Sequence, residues 1–310
     1  MRVLVTGASG FIGSHVCRDL LARGSAVRAL RRPDADLARL ADIASQIEWI
    51  EGDLLESADR ELEAAARDIE ACIHLAWNVV PGQYLTSPEN ARYREASLRL
   101  FERLADGGCR RITGVGTCFE YATAAHPLDE SAPVDPVTPY AKEKLATFTE
   151  GDARLRGTPT AFAWARLFYL YGPWENARRL VPDVIVRLLQ GKRAAVTTGR
   201  QVRDFLHVAD AARALTAVTR SSLRGPVNIG SADPIRVLDV VEAIGTITQR
   251  ADLIDVGART ENLVDPSYVC ADNRRLLDET NWRPQYGLVS GLEDTVAWWR
   301  DALSTCEAKR

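Results

Sequence analysis

The 310-residue chain lacks a long apolar run: no window reaches the roughly 18 consecutive apolar residues that a membrane-spanning helix needs. Its first apolar stretch ends at Val5, so the start of the chain carries neither the apolar core nor the cleavage site of a secretion signal. From these two absences we expect a cytoplasmic protein without a membrane partner.

Metal-binding and disulfide patterns are missing as well. The four histidines show no ligand spacing and no C-x-x-C pair occurs, so we expect no metal site. The scattered cysteines are predicted to be reduced and packed as small hydrophobic residues. They are Cys17, Cys72, Cys109, Cys118, Cys270 and Cys306. The net charge of −3 comes without a basic stripe, which argues against a nucleic-acid partner.

The first half of the chain does contain a regular alternation of apolar runs and amphipathic stretches. Residues 3–6, 26–30, 47–50, 72–76, 111–116 and 161–167 have the character of buried strands. Residues 12–23, 60–67, 89–106 and 140–155 have helical periodicity. Strand alternating with helix predicts an α/β protein with a doubly wound parallel sheet.

After Pro173 the pattern changes to helices separated by short extended pieces. Two later segments, 203–215 and 225–231, are interpreted as returns to the main sheet. We therefore predict a sheet domain of residues 1–172 with 196–230. A smaller substrate lobe, discontinuous in sequence, takes residues 173–195 with 231–310.

A glycine-rich turn follows the first strand in VLVTGASGFIGSHV, residues 3–16. Gly7 allows the tight turn, Gly10 lets a pyrophosphate approach the backbone, and Gly13 lets the next helix pack on the strand. The helix start, with Phe11 and Ile12, then faces the phosphates with free N–H groups and the positive end of its dipole. This arrangement predicts a dinucleotide on a Rossmann fold, the alternative being a purely structural turn.

The end of the second strand indicates which nicotinamide cofactor binds. An acidic residue there usually holds the ribose 2′-OH of NAD, but this chain has Arg31 and Arg32. Two guanidinium groups suit a 2′-phosphate, which favours NADP(H). The alternative, NAD(H), requires Asp34 or Asp36 to reach back to the ribose.

A catalytic pair is predicted from Tyr140 and Lys144, which stand four residues apart and so share one face of a helix. A phenol has a pKa of about 10, and a nearby ammonium lowers that pKa and makes the phenol usable as an acid or base. Thr117, at the carboxyl end of the fifth strand, adds a hydroxyl that shares the substrate oxygen with Tyr140. For the pair alone, the alternative is an exposed helix face.

The chain resembles the extended short-chain dehydrogenase/reductase family of sugar-nucleotide epimerases, dehydratases and ketoreductases over nearly its whole length. The resemblance rests on TGASGFIG, GDL at 52–54, HLA at 74–76, Thr117 four residues before Tyr121, Tyr140 with Lys144, RLFYLYGP at 166–173, RDFLHVAD at 203–210, NIGS at 228–231 and NWRPQYGLVSGLEDT at 281–295. It implies that Thr117, Tyr140 and Lys144 form the catalytic triad and that Arg203 grips the diphosphate of a nucleotide-sugar substrate.

Further cofactor contacts and a partner are also expected. Asp53 and Leu54, after the third strand, are placed to meet the adenine. By the resemblance, Leu75 and Ala76 of the HLA motif complete the cofactor contacts. The helices at 89–106 and 140–155 resemble those that form the homodimer interface in this family.

The two positions after Thr117 distinguish the reactions of the family. Its 4,6-dehydratases carry acid–base residues there, whereas this chain has Cys118 and Phe119. Phenylalanine cannot transfer a proton, and Glu120 comes one residue too late, on the other face of an extended chain. Dehydration is therefore disfavoured. Dual epimerase–reductases of the family carry a cysteine at the position where this chain has Phe119, so that activity is disfavoured too. Cys118 borders the substrate site, with packing as its favoured role.

Simple hydride chemistry is left, and we predict NADPH-dependent reduction at C4 of a 4-keto-6-deoxy sugar linked to dTDP or CDP. Tyr169, where the family usually has Asn, and Tyr84, in the aromatic and amide-rich segment 77–90, indicate a modified sugar pocket. An ordinary surface loop is the alternative for that segment. The alternatives for function are a NAD-dependent nucleotide-sugar 4-epimerase and a non-catalytic NADP-binding sensor.

Overall fold

The computed structural model describes residues 1–57, 59–261 and 265–307. In chain order its strands are β1 (Arg2–Thr6), β2 (Ala26–Arg31), β3 (Ile47–Glu51), β4 (Ala71–His74), β5 (Arg111–Thr117), β6 (Ala161–Leu167), β7 (Tyr169–Tyr171), β8 (Ala194–Val196), β9 (Val202–His207), β10 (Gly225–Ile229), β11 (Pro234–Arg236), β12 (Ile254–Val256) and β13 (Tyr268–Val269). The main sheet has seven parallel strands in the order β3-β2-β1-β4-β5-β6-β10. This order confirms the predicted doubly wound parallel sheet.

The helices cover both faces of the main sheet and also build the second lobe. They are α1 (Phe11–Ala22), α2 (Asp59–Ala66), α3 (Glu89–Asp106), α4 (Pro139–Leu155), α5 (Leu180–Leu189), α6 (Val208–Arg220), α7 (Val237–Thr248), α8 (Arg274–Glu279) and α9 (Leu288–Glu307). α1, α6 and α8 lie on one face, and α2, α3 and α4 lie on the other. Along β1, Val3 and Val5 pack under the first face and Leu4 under the second. Burial on both faces explains why the strands are continuous apolar runs in the sequence.

The helix that carries Tyr140 and Lys144 has a sharply defined start. Thr138 is the N-cap of α4, and its Oγ1 accepts a hydrogen bond from the N–H of Ala141 at 3.2 Å. Pro139 follows in the first turn, where the missing N–H leaves no helical bond unmade. These two residues place Tyr140 in the first turn of α4.

The prediction that segment 203–215 returns to the main sheet is wrong for its strand. β9 belongs to a second sheet, where it pairs antiparallel with β11 and parallel with β7 and β13. These strands offer pairing edges close to where the chain leaves β8, and β6 in the main sheet is already flanked by β5 and β10. The helix that follows, α6, does pack on the main sheet. The prediction for segment 225–231 is confirmed, because β10 is the edge strand beside β6.

A separate apolar core holds the second lobe. It is formed by α5, α7 and α9 with the two-stranded sheet of β8 and β12. The division of the chain into 1–172 with 196–230 and 173–195 with 231–310 stays a prediction. Within the described ranges, no helix is both long and apolar enough to cross a bilayer.

The cysteines whose side chains are described are free and buried. They are Cys17, Cys72, Cys109, Cys118 and Cys270. The side chain of Cys306 lies outside the described part of the chain. Thiols buried in this way behave as small apolar side chains.

Candidate active site

The predicted site residues lie at the carboxyl edge of the main sheet. Thr6, His74 and Gly114 are in register across β1, β4 and β5. The glycine turn after β1 and Thr117 at the end of β5 therefore open on the same edge. In parallel sheets of this kind, ligands bind at that edge, where the winding direction reverses.

The glycine turn has the shape of a phosphate cradle. Gly7 has a φ of +70°, and a Cβ there would lie 2.9 Å from the backbone nitrogen of Ala76. A Cβ on Gly13 would lie 2.1 Å from the Gly7 carbonyl oxygen, so only glycine lets α1 pack against the turn. At Gly10 an added Cβ would meet that oxygen at 3.1 Å and otherwise open space. The start of α1 at Phe11 has no side-chain cap and no acidic residue in the first turn. Its N–H groups, including that of Ile12, therefore fit a dinucleotide pyrophosphate.

A buried chain of hydrogen bonds shapes the other side of this cradle. Thr6 Oγ1 and His74 Nδ1 lie 2.8 Å apart, and His74 Nε2 lies 2.8 Å from Ser97 Oγ on α3. The N–H groups of Leu75 and Ala76 both donate to Thr6 Oγ1 at 3.2 Å. Burial lowers the pKa of His74 to about 3. The neutral ring therefore acts by orienting the backbone at the two predicted cofactor contacts.

A buried carboxylate closes the end of β5. Glu120 Oε1 accepts a hydrogen bond from the N–H of Thr117 at 3.0 Å, and Thr117 Oγ1 accepts one from the N–H of Phe119 at 3.3 Å. The same carboxylate accepts bonds from Trp164 Nε1 at 3.0 Å and Arg166 Nε at 2.7 Å. Glu120 is thus engaged in structural contacts. A 3₁₀ turn over Cys118–Glu120 follows Thr117 and turns the side chain of Glu120 inward. The sequence had suggested an extended chain at this point.

Tyr140 and Lys144 lie together beside the end of β5. Lys144 Nζ donates to the carbonyl oxygen of Val115 at 2.8 Å, two residues before Thr117, and lies 5.9 Å from the centre of the Tyr140 ring. The side chains are buried, with exposed fractions of 8% for Tyr140 and 3% for Lys144. This burial rules out the alternative of an exposed helix face.

Burial governs the ionisation of this pair. It raises the pKa of Tyr140 well above its ordinary value, and Tyr84 and Glu120 act in the same direction while Arg179 acts against them. Burial also lowers the pKa of Lys144 to about 7, although Glu120 raises it. The acidification of the phenol expected from Lys144 is outweighed in the protein alone. A neutral phenol is suited to giving a proton.

Aromatic side chains border the site toward the second lobe. The rings of Tyr84 and Tyr140 meet edge to face, with centres 4.9 Å apart. Tyr169 on β7 meets Phe119 edge to face at 6.2 Å. The guanidinium of Arg203 lies 5.3 Å from the centre of the Tyr169 ring. Three of the predicted substrate residues are thereby placed along one border.

Cys118 and Arg203 have strong contacts within the protein. Cys118 is buried in an apolar cluster that includes Tyr121 and Phe168, and burial raises the pKa of its thiol to about 12. Such a thiol is inert at neutral pH, in line with a packing role. Arg203 Nη2 lies 2.7 Å from Asp265 Oδ2, so its charge is paired within the protein.

Arg31 and Arg32 lie at the end of β2, where the sequence predicts the cofactor ribose. The guanidinium of Arg31 lies 5.8 Å from the centre of the Trp49 ring, and its Nε is buried without a hydrogen-bond partner. Arg32 is exposed and its Nε lies 3.6 Å from Asp34 Oδ1. Asp36 accepts a bond from a neighbouring backbone N–H at 2.8 Å. Of the two arginines, Arg32 presents its guanidinium to solvent, and Arg31 is partly buried against Trp49.

The turn after β3 lies next to these arginines. The N–H of Gly52 donates to the Arg31 carbonyl oxygen at 2.8 Å, and Asp53 Oδ1 accepts from the N–H of Leu55 at 2.7 Å. Leu54 is part of the apolar core under α2 and α3. Its side chain is thus occupied, which leaves the backbone at 53 and 54 for the predicted adenine contact.

Sequence reasoning does not find Arg39, and it includes Trp77 only as part of segment 77–90, without a role at the catalytic pair. Arg39 donates to the carbonyl oxygens of Trp174 at 3.2 Å and Ser9 at 3.4 Å, which links the second lobe to the glycine turn. Trp77 follows HLA directly, and Lys144 Nζ lies 3.8 Å from its ring. A large aromatic residue directly after the HLA motif is the sequence signal that could have singled out Trp77. Arg39 has no comparable signal, because its partners are distant in sequence.

A cavity of about 330 Å³ opens on the second lobe. It is lined by Arg178, Asp183, Arg187, Ala195 and Arg259. Segment 77–90 passes close by, because a Cβ on Gly82 would lie 3.8 Å from Arg178 Nη2. Three guanidinium groups around one cavity suit an anionic ligand.

A model of the NAD dependent epimerase/dehydratase family matches residues 3–230, and the chain belongs to this family. It is 28% identical to the dTDP-glucose 4,6-dehydratase of Escherichia coli, over 96% of this chain and 92% of that enzyme. It is 27% identical to the dTDP-4-dehydro-6-deoxy-D-allose reductase of Streptomyces bikiniensis, over 96% of each chain. The predicted membership of the extended short-chain dehydrogenase/reductase family is confirmed.

A solved structure supports the same fold. MoeE5 in complex with UDP-glucuronic acid and NAD is 29% identical to this chain, with a TM-score of 0.82, and the match covers 97% of this chain and 100% of that one. The named relatives include a dehydratase and a reductase. The family therefore does not decide the reaction, which has to be argued from the site.

Proposed function

We propose that the protein is an NADPH-dependent reductase of a nucleotide-activated 4-keto-6-deoxy sugar, linked to dTDP or CDP. Family membership supports a nucleotide-sugar enzyme, and the Streptomyces bikiniensis relative is by name a reductase of a dTDP-4-dehydro-6-deoxy sugar. The burial of Tyr140 and Lys144 beside the end of β5 supports a working catalytic pair and disfavours a non-catalytic sensor.

The observation that carries the proposal is the chemistry of the three residues after Thr117. Cys118 is packed in an apolar cluster, Phe119 has no proton to transfer, and Glu120 is bonded to Trp164 and Arg166. Elimination of water requires an acid and a base near the sugar, and these residues supply neither. Reduction of a ketone requires one proton donor, and neutral Tyr140 is suited to that role.

The dinucleotide, when bound, supplies the hydride that reaches C4 of the sugar. Tyr140 gives its phenolic proton to the carbonyl oxygen. Thr117 Oγ1 accepts from the N–H of Phe119, and its own hydroxyl hydrogen is proposed to bind the same substrate oxygen. Lys144 holds the ribose hydroxyls. The glycine turn holds the pyrophosphate.

The preference for NADPH rests on Arg31 and Arg32. The exposed guanidinium of Arg32 and the neighbouring guanidinium of Arg31 are proposed to donate to a 2′-phosphate. The structure of MoeE5 contains NAD, so NADP(H) is a feature proposed for this chain alone.

The substrate is proposed to lie between the catalytic pair and the second lobe. Tyr84, Phe119 and Tyr169 offer aromatic surface to the sugar, which suits the methyl group of a 6-deoxy sugar. Arg203 is proposed to exchange Asp265 for the substrate diphosphate. We also propose that the protein is cytoplasmic and that it forms a homodimer through α3 and α4. Light scattering on the purified protein tests whether it is a dimer.

A NAD-dependent 4-epimerase is the second candidate function. Asp34 favours it, because this carboxylate lies beside Arg32 close to the predicted ribose site. An epimerase keeps its cofactor bound and catalyses no net redox change, so cofactor exchange with solvent distinguishes the two functions.

The deciding experiment is to incubate the protein with a panel of 4-keto-6-deoxy sugars on dTDP and CDP, with NADPH and NADH in separate series. Loss of NADPH absorbance with an equal amount of 4-hydroxy product is expected. Interconversion of dTDP- or UDP-hexoses without loss of reduced cofactor would establish the epimerase instead. Tight cofactor binding without either reaction would overturn both enzymatic proposals.

A further inference from the structure

Trp77 occupies a position between the end of β4 and the helices α3 and α4. Its Nε1 donates to Asn90 Oδ1 at 2.7 Å, and its ring stacks on Tyr93 with centres 5.4 Å apart. Lys144 Nζ lies 3.8 Å from the ring centre, and the Tyr140 ring meets the indole edge to face at 6.3 Å. One side chain therefore touches both members of the catalytic pair.

Asn90 fixes the indole in this position. It is 1% exposed, and while its Oδ1 accepts from Trp77, its Nδ2 donates to the carbonyl oxygen of Tyr84 at 2.7 Å. The next residue, Leu85, accepts a bond from the N–H of Tyr140 at 3.1 Å. The segment between Trp77 and Asn90 is thus bonded to the first turns of α3 and α4, which an ordinary surface loop would not be.

Lys144 has few other groups that stabilise its charge. In the described part of the chain, Nζ donates one hydrogen bond, to the Val115 carbonyl oxygen at 2.8 Å. Glu120 favours the ammonium but is itself paired with Arg166 at 2.7 Å. Burial without compensation shifts a lysine toward the neutral amine. The face of an indole is the best aromatic surface for holding a cation.

The titratable groups around Lys144 leave the stabilisation of its charge to the Trp77 ring. His74, on β4, is neutral because burial lowers its pKa to about 3. Tyr140, on the same helix, is neutral because burial raises its pKa. Among the described residues, Glu120, after β5, is the remaining charged neighbour. None of these three groups provides a direct counter-charge at Nζ.

We propose that Trp77 is a positioning residue for Lys144: its indole face, held by Asn90, keeps the ammonium protonated and directed toward the cofactor ribose. The inference rests on the proposed function because it uses the ribose-binding role of Lys144. Around neutral pH a lysine without the ring would be largely uncharged, and binding of the dinucleotide would weaken.

The chain itself makes a direct test practicable, because it has four lysines. Labelling lysine with ¹³C at Cε gives few NMR signals, and Lys144→Met identifies the one from Lys144. In the wild type this signal should titrate near pH 7. In Trp77→Leu the midpoint should move about one pH unit lower. The matched control is Trp299→Leu, another partly buried tryptophan, on α9, for which no shift is expected. An unchanged or higher midpoint in Trp77→Leu overturns the proposal.

A second series avoids the cavity that Trp77→Leu creates. Fluorinated tryptophans placed at position 77 keep the shape of the indole and withdraw electron density from its face. The titration midpoint should fall stepwise with the number of fluorine atoms. A midpoint that stays constant through the series refutes the cation–π role, whether or not Trp77→Leu folds.

Failure of this inference can be told apart from failure of the proposed function. The NMR titration needs neither substrate nor turnover. If the midpoint moves but no 4-keto sugar is reduced, the role of Trp77 stands and the proposed reaction falls. If sugars are reduced and the midpoint does not move, the reaction stands and the role of Trp77 falls. The dissociation constant of NADPH at pH 7.5 should rise about tenfold in Trp77→Leu if both hold.

Discussion

At the scale of single residues, the proposed reaction depends on the buried phenol of Tyr140. Tyr140→Phe removes the proton donor but keeps the ring that packs against Tyr84. We expect kcat to fall about a thousandfold, since general acid catalysis contributes on that order. The dissociation constant of NADPH, measured by fluorescence titration, should change less than about twofold. Tyr171→Phe, which removes a buried hydroxyl in the second lobe, is the control and should keep its activity.

The cofactor preference is a second property of single residues. In the double variant Arg31→Ala with Arg32→Ala, the KM for NADPH should rise about tenfold or more, because charge-assisted bonds to the 2′-phosphate are lost. The KM for NADH should stay nearly the same. Arg23→Ala, which breaks an exposed pair with Asp19, is the control. An equal change for both cofactors would show that the arginines do not read the 2′-phosphate.

The residues of the turns were predictable because their roles depend on local chemistry. Contacts between distant segments were not predictable. The glycines at 7, 10 and 13 follow from the needs of one short turn, and their geometry fits that reason. The pairing of Arg39 with Ser9 and Trp174 depends on the packing of segments far apart in sequence. For the same reason, the sequence suggested an acidified phenol at Tyr140, whereas burial, which only the folded chain shows, raises its pKa.

At the scale of elements, the turn that ends β5 depends on Glu120. Glu120→Ala would leave Arg166, which is 3% exposed, without its counter-charge and Trp164 Nε1 without an acceptor. We expect the free energy of unfolding to fall by about 3–5 kcal/mol, as when one partner of a buried ion pair is removed. Urea denaturation followed by fluorescence measures the loss.

The comparison variant for this turn is Glu56→Ala, which breaks an exposed pair with Arg92. Its loss should stay below about 1 kcal/mol. Similar losses in the two variants would mean that Glu120 is not a special support of the strand end. Glu120→Gln, which keeps one acceptor oxygen, should lie between them.

Element types were predictable where the apolar pattern repeats regularly. The predicted helix 89–106 and strand 161–167 agree with α3 and β6 to the residue. β9 shows the limit, because its sequence identifies a strand but not its neighbours. Its pairing depends on β7, β11 and β13, each of which is only two or three residues long.

At the scale of the whole molecule, Lys144 links stability to pH. Its pKa is about 7 in the folded protein and about 10.4 in an unfolded chain. Below about pH 7 the ammonium is charged in both states, so the cost of burying it is fully present. Between about pH 7 and pH 10 the folded state binds fewer protons, so stability rises with pH by up to about 1.4 kcal/mol per pH unit.

Comparison with Lys144→Met isolates this contribution. The variant has no charge to bury, so it should be more stable than the wild type at about pH 6, and the difference should shrink as the pH rises. Urea unfolding of both proteins across this range provides the measurement. Lys192→Met, at an exposed position, should show a flat difference. A flat difference for Lys144→Met would mean that folding does not lower the pKa of this amine, so that it binds the same number of protons in both states.

The direct passage from β9, in the second sheet, into α6, on the main sheet, has a consequence for protein engineering. After β6 the chain enters the second lobe, returns through α6 and β10, and leaves again at β11. Within the described residues, no single cut separates the main sheet from the second lobe. A chimera that borrows its specificity from a relative must therefore be spliced at each of these crossings, and one-junction hybrids should come out insoluble.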